Sequence, residues 1–572
     1  MSPSPDPIKP AGPLTSLPPE LLVHIIDNVD PASHLYFACT CRTIAHCSVD
    51  VLRRHREAYD QWHVTSDLQP STIPTLLREA MRDPVVAWHV RSLEIWGSRS
   101  TWNAWRPFML EPPDRFDPNA QPLQWWFDDG ERVEHLQLLR DMLHLSEDDI
   151  SKAMQELDKG SDGLLKVLAT ALCPRLYGLK YVWCSADNQD ESLQWLTLAI
   201  ERSHNNGSWA PGFQALRNIA IGVNSGTWLD QENDVHHNPR LLTNILILPK
   251  IDSVYFHSLC NEEHLADFSI DDPTRGPSPS SSSVRHLFID GARRIANDYR
   301  INLIAAPRAL KTLCLRGNDE NDQWDDMDLL VTEAREFQND SLESLMLYEA
   351  WGMHGYRCAV YRPDDVQLSE FKNLRHVCID ETDLISEAWY DGYELWELWK
   401  TDREASIEFV ISQFPVSMEI LFLGIRYHLW NFEMVEECLI SLVESGRYPN
   451  LKAIFIEDDM SRRRWFLRQG PQGTPWLQRL IAVGEQHGVD INCTASGNRK
   501  RFHEIDFPPS APDSASLASA PNSWARGIEA REFNAFTGRW QPKGCGNCGN
   551  CSHCFQVYTP EVWKAMLGSS SL

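Results

Sequence analysis

The chain has 572 residues, is 42% hydrophobic and carries a formal net charge of −27 from 53 basic and 80 acidic residues. That length exceeds one compact core, so several domains or an elongated repeat is expected. The charge disfavours nucleic acid and anionic membrane surfaces, which select clustered Lys and Arg, and leaves basic or neutral partners. The opening MSPSPDPIKPAGP has no apolar stretch to act as a signal, and the longest aliphatic run, Leu241 to Leu248, is too short to span a bilayer. A soluble protein of the cytoplasm or nucleus is therefore expected. Most of the 15 cysteines are scattered singly, and Cys173, Cys314 and Cys378 sit at positions that read as reduced core thiols.

After a disordered stretch at 1–13, a helical bundle is expected over 14–60. Pro18 and Pro19 have φ fixed near the helical value, and Glu20 favours the positive end of a helix dipole. Leu21, Leu22, Ile25, Ile26 and Val29 then follow at helical spacing, forming one aliphatic face. Asp30 and Pro31 provide a second start, with Leu35, Ala38, Cys39 and Arg42 on one side, and a third short helix begins near Thr43. So few residues cannot bury enough surface to stand alone, so the apolar face must be used against something else, either the next domain or another protein.

The L-P-x-E-[LI] opening at Leu17, the D-P second start and the T-C-R close at Thr40 to Arg42 resemble an F-box. The resemblance implies docking on the Skp-family adaptor of cullin-RING (SCF) ubiquitin ligases. Carried over by position, the implied adaptor contacts are Leu17, Pro18, Leu21, Ile25, Ile26, Leu35, Cys41 and Arg42.

Residues 61–130 form a junction rich in tryptophan, including Trp88, Trp96, Trp102, Trp105, Trp125 and Trp126, whose rings are expected to pack between domains. Over 131–495 and just before it, a six-residue pattern, apolar-x-x-apolar-x-apolar, recurs. Its members are VRSLEI from Val90, LYGLKY from Leu176, LRNIAI from Leu216, IDSVYF from Ile251, VRHLFI from Val284, LKTLCL from Leu310, LESLML from Leu342, LRHVCI from Leu374, MEILFL from Met418 and LKAIFI from Leu451. From Leu176 the starts lie 26 to 44 residues apart, room for one strand and one helix each. Units of this kind must stack to cover their apolar faces. The fold class expected is α/β, a small helical N-terminal bundle followed by an irregular, leucine-rich-repeat-like solenoid of alternating strands and helices. A doubly wound α/β domain is the rival. An F-box followed by degenerate repeats resembles the large set of fungal F-box proteins.

The Ser/Pro-rich stretch 273–283 is expected as a flexible loop, 496–528 as a disordered linker and 529–572 as a Cys-rich tail. In that tail Cys545, Cys548, Cys551 and Cys554 form C-x2-C-x2-C-x2-C. Four thiolates suit tetrahedral zinc, but the short inner spacing leaves iron–sulfur or redox use and a metal-free tail open. The DKGSDG segment at Asp158 lacks the carboxylates of a calcium loop at its third and twelfth positions, and His236-His237 has no completing ligand. No phosphate loop, nucleophile elbow, kinase or zincin motif occurs, so a non-catalytic protein is expected. The F-box resemblance implies a substrate receptor that joins an unknown target to adaptor and cullin. The alternatives are a repeat scaffold that uses the adaptor without ligase activity, and a metal or redox protein built on the tail cysteines.

Overall fold

The computed structural model describes residues 13–108, 116–182, 191–223, 243–260, 277–293, 295, 297–316, 327–348, 368–380, 399–425, 432–459, 477–496, 531–534, 539–542 and 556–558. Four helices open the fold: α1 (Pro19–Asp27), α2 (His34–Ala38), α3 (Arg42–Cys47) and α4 (Val49–Trp62). Next come β1 (Val64–Ser66), α5 (Thr72–Arg82), α6 (Pro84–His89), β2 (Ser92–Ile95), α7 (Asp129–Asp141), α8 (Glu147–Lys159), α9 (Gly163–Leu172) and β3 (Gly178–Val182). Then α10 (Glu191–Asn206), α11 (Pro211–Ala215), β4 (Asn218–Val223), β5 (Ser253–Cys260), β6 (His286–Arg293), α12 (Asn297–Ala305), β7 (Thr312–Arg316), α13 (Met327–Gln338), β8 (Ser344–Tyr348) and β9 (His376–Asp380) follow. The sheet is completed after α14 (Arg403–Ser412) by β10 (Ile420–Ile425), α15 (Phe432–Glu444), β11 (Ala453–Asp459), α16 (Gln478–His487) and β12 (Asp490–Ser496). The tail adds β13 (Arg531–Asn534), β14 (Arg539–Pro542) and β15 (Gln556–Tyr558).

Strands β1 to β12 lie side by side in sequence order, each parallel to the next, and β15 adds antiparallel to β12. A doubly wound sheet reverses its strand order part-way, and this one never does. Each of the ten hexapeptides becomes a strand, with its first apolar residue, from Val90 to Leu451, buried just ahead of the strand. The remaining two apolar positions, such as Leu93 and Ile95 or Leu313 and Leu315, join the helices in one continuous core.

The opposite face of the sheet is also buried. Ala220, Tyr255, Phe288, Cys314, Met346, Cys378 and Phe422 stand in register on successive strands, and none is exposed. At the start of this row, where Glu94 and Lys180 take the place of apolar side chains, the two charges pair at 3.2 Å, both buried. Cys173, Cys314, Cys378 and Cys438 are buried, and burial pushes the Cys173 and Cys438 thiols up to about 12.

Before each strand from β2 to β12, one residue donates its backbone N–H to the carbonyl of its counterpart in the preceding unit: Arg91 to His63, Tyr177 to Arg91, Arg217 to Tyr177, Asp252 to Arg217, Arg285 to Asp252, Lys311 to Arg285, Glu343 to Lys311, Arg375 to Glu343, Glu419 to Arg375, Lys452 to Glu419 and Asp490 to Lys452. Ion pairs run along this row, Arg285 with Asp252, Lys311 with Glu343, and Arg375 and Lys452 with Glu419. The Ser/Pro-rich stretch takes part as well. Its second half is tied down, with Ser280 and Ser282 donating to the carbonyls of Ala305 and Ala306 and Arg308 donating back to Ser282.

At the junction, Trp96 and Trp105 are buried and Trp102 and Trp125 pack on the main core, while Trp126 stays exposed. Gly160 ends α8 with φ +99°, where a Cβ would meet the Trp102 backbone at 2.3 Å, and its carbonyl accepts from Trp105 Nε1 at 2.7 Å. The DKGSDG segment is thus a helix terminus. Two residues on, Asp162 enters a buried network in which Lys166 pairs with Asp67 at 3.0 Å and Asp162 at 2.9 Å, and Arg99 pairs with Asp162 at 3.1 Å. Burial pushes the carboxyl of Asp67 above its usual range despite Lys166 and Arg99. Burial pushes Asp162 the same way, but Lys166, Arg99 and the Arg99 backbone N–H outweigh it and hold that group low.

Two acids and two bases balance here, so removing one cation strands a buried carboxylate. Lys166→Ala should cost about 3–5 kcal/mol in chemical denaturation, whereas Lys311→Ala, whose pair with Glu343 is partly exposed, should cost under about 1 kcal/mol. Equal effects would mean that the buried network is not holding the junction.

Candidate functional site: the N-terminal helical bundle

Pro18 is extended and Pro19 occupies the first helical turn of α1, where its missing N–H costs nothing. The second helix starts later than Asp30 and Pro31 suggest: Asp30 Oδ1 accepts from the Ala32 N–H at 2.7 Å within a turn, and α2 begins at His34. Here a local side-chain acceptor closes a turn instead of capping a helix. The third helix begins with Cys41 as its N-cap.

The aliphatic face of α1 is divided by the fold. Leu22 and Ile26 point inward, and Ile26 joins Ile44 and Val51 in a small core with Phe37, Cys41, Cys47 and Leu52 against it. Leu21, one residue away, is 50% exposed, and Leu35 and Tyr36 on α2 are 60% and 79% exposed. Leu14, Val23 and Val49 are exposed too. Large apolar side chains left outward in so short a segment mark an interaction surface.

Among the implied contact residues, Pro18, Leu21, Leu35 and Arg42 are exposed and Leu17 and Ile25 half-exposed. Ile26 is the correction. At 1% exposed it belongs to the bundle's own core, because the i, i+4 line through Leu22 faces α3 and α4. Cys41 is half-buried against the same core. Sequence reasoning missed Tyr36, Leu14, Val23 and Val49. No local signal marks Tyr36, because the inward turn of His34, two positions before it, goes with its bond to the distant His55.

Residues 14–56 match the F-box domain. No curated protein matches the chain by sequence. The chain thus carries an F-box, and the divided face of α1 is its outer and inner surface. No helix among the described residues is long and apolar enough to cross a membrane. Cys545, Cys548, Cys551 and Cys554 lie outside the described residues, and among the described residues no group of three or more His, Cys, Asp or Glu is placed to hold a metal.

Three devices fix the F-box to the sheet-bearing part of the fold. Helix α4 contributes Val51 to the F-box core and Ala58 and Trp62 to the main core. Arg54 on α4 bridges Asp27 at the end of α1 (2.5 Å) and Asp83, the N-cap of α6 (2.9 Å). Finally, His34 Nδ1 meets His55 Nε2 at 2.8 Å, and His55 Nδ1 meets His89 Nε2 at 2.7 Å, a chain of rings from α2 through α4 to α6.

Burial, the neighbouring His34 and Arg54 push His55 down to about 4 against a weaker upward pull from Asp83, and burial with His55, Arg91 and Arg175 brings His89 to about 4. The unfolded chain binds these protons near pH 6.5 and the folded chain resists until about pH 4. Stability from these groups is therefore complete above pH 6.5 and falls as pH drops from 6.5 towards 4. Thermal unfolding at pH 7, 6 and 5 should show that decline, and His55→Phe/His89→Phe should flatten it; an unchanged slope in the variant would show that other groups set it.

Proposed function

We propose that this protein is the substrate-recognition subunit of an SCF-type E3 ubiquitin ligase, docking on a Skp-family adaptor through the F-box. F-box domains in general bind such adaptors and are typically non-catalytic parts of their complexes. The observation that carries the reading is the outward apolar face of the F-box, led by Leu21, Leu35 and Tyr36, on a bundle whose own core is filled by other residues.

Burying a leucine contributes roughly 1.5–3 kcal/mol of apolar transfer before association costs. Leu21, Leu35 and Tyr36 together would form the apolar centre of such a contact. The sequence-ordered parallel sheet, read as a leucine-rich-repeat-like solenoid, would hold a target protein. A cullin recruited by the adaptor would bring the conjugating machinery to it. On this view the chain raises the effective concentration of target lysines near chemistry performed by other subunits.

Leu21→Asp/Leu35→Asp should abolish co-purification of the adaptor while leaving helix content and thermal unfolding close to wild type, since both side chains are exposed. Ile26→Asp should instead unfold the bundle. Adaptor retained by the double variant would refute the docking face.

A further inference from the structure

Along the row ahead of the strands, the charges from Asp252 to Lys452 pair with one another. From Asp252 to Lys452 each described member has a carboxylate–cation partner along the row. The row begins at His63, followed by Arg91, Tyr177 and Arg217, and neither arginine has a carboxylate partner among the described residues. Arg91 donates to the carbonyls of Trp88 at 2.7 Å and Val90 at 3.4 Å. Arg175, two residues before Tyr177, lies over the Trp88 ring at 4.7 Å, again without an acid among the described residues.

Burial, then the like charge of Arg175, pushes the Arg91 guanidinium down to about 10. Arg175, Tyr177 and Arg217 are exposed and Arg91 is half-exposed. In a chain with a net charge of −27, three guanidiniums without a carboxylate partner among the described residues thus lie beside an indole and a phenol.

We infer that Arg91, Arg175 and Arg217, walled by Trp88 and Tyr177, form a docking surface for a carboxylate-rich segment of a partner protein. Charge complementarity selects that occupant, and the rest of the row shows its form, because the chain's own Asp and Glu side chains complete this same register further along. Neighbouring rungs are about 4.8 Å apart, so Arg91 and Arg217 stand about 10 Å from one another along the row. That spacing suits several carboxylates distributed along an extended segment, each taken by a guanidinium fork. The overall negative charge opposes such a ligand only weakly, since at physiological salt the screening length is about 8 Å and local charges dominate.

The inference deepens the receptor reading by naming a class of target and rests on that reading for its biological sense, but the contact can be measured separately. The full chain, with and without bound adaptor, is titrated by fluorescence anisotropy with a labelled alternating Ser-Glu peptide, the same peptide with Gln for Glu, and the Gln peptide bearing one phosphoserine. The Glu peptide should bind and weaken with added salt, Arg175→Glu/Arg217→Glu should weaken it at least about tenfold, and Arg175→Lys/Arg217→Lys should keep most of it. Absence of Glu-peptide binding, equal binding of the Gln peptide, preference for the phosphoserine peptide, or unchanged affinity in the charge-reversed variant would each overturn the inference. Adaptor retained by the charge-reversed variant certifies its fold, so a failure here is distinguishable from a failure of F-box docking.

Discussion

Helix α4 belongs to two hydrophobic cores at once, and the geometry of the molecule depends on that sharing. Val51 sits under the F-box with Ile26 and Ile44, while Ala58 and Trp62, two and three turns further on, lie in the core beneath the sheet. A continuous helix resists bending between such anchors because bending would break backbone hydrogen bonds on one side. The F-box is therefore not a bead on a tether. Arg54 and the histidine chain add side-chain ties in the same region, each modest alone because partly exposed.

The sheet solves a different problem. A parallel sheet needs both faces covered, and here the helices supply one cover while the second row, from Ala220 to Phe422, is buried on the other. Where that second row carries charges, at Glu94 and Lys180, it carries one of each and pairs them. The same rule governs Asp67, Arg99, Asp162 and Lys166 at the junction, where isolated buried charge would be far more costly than a balanced set. In both places the buried charges enter as neutral sets.

The strand pattern was legible because each hexapeptide encodes contacts within its own unit: one apolar residue anchors the turn and two face the helices. The second buried face was not anticipated, since the pattern left its position variable, although triplets such as VYF, LFI, LCL and VCI are apolar without alternation, the mark of a strand covered on both sides. What could not be read was placement that depends on distant partners. Whether Leu22 or Leu21 turns inward is set by where α3 and α4 sit, and both are equally aliphatic in sequence. The balanced network at Lys166 joins residues nearly a hundred positions apart, and Asp67, Arg99 and Asp162 carry no local sign of it. The short β1 was missed because it is only three residues long and has Thr65 where β2 has Leu93, although Trp62 is buried at the anchoring position, and the Ser-rich segment before β6 is ordered by backbone bonds to Ala305 and Ala306 that composition does not encode.

Placement links these features to function. Arg91 follows α6 directly, and α6 carries His89, whose ring is bonded to His55 on α4 and through it to His34 on α2. The elements that hold the F-box still therefore also carry the first rungs of the charged row, and Trp88, under Arg175, belongs to the same short helix. A partner seated on those rungs would have a fixed relation to whatever grips Leu21 and Leu35. Flexible tethering would spread the partner's lysines over a large volume, whereas a shared helix and a shared core restrict them to a small one. In a substrate receptor such a restriction would be the physical contribution of the fold.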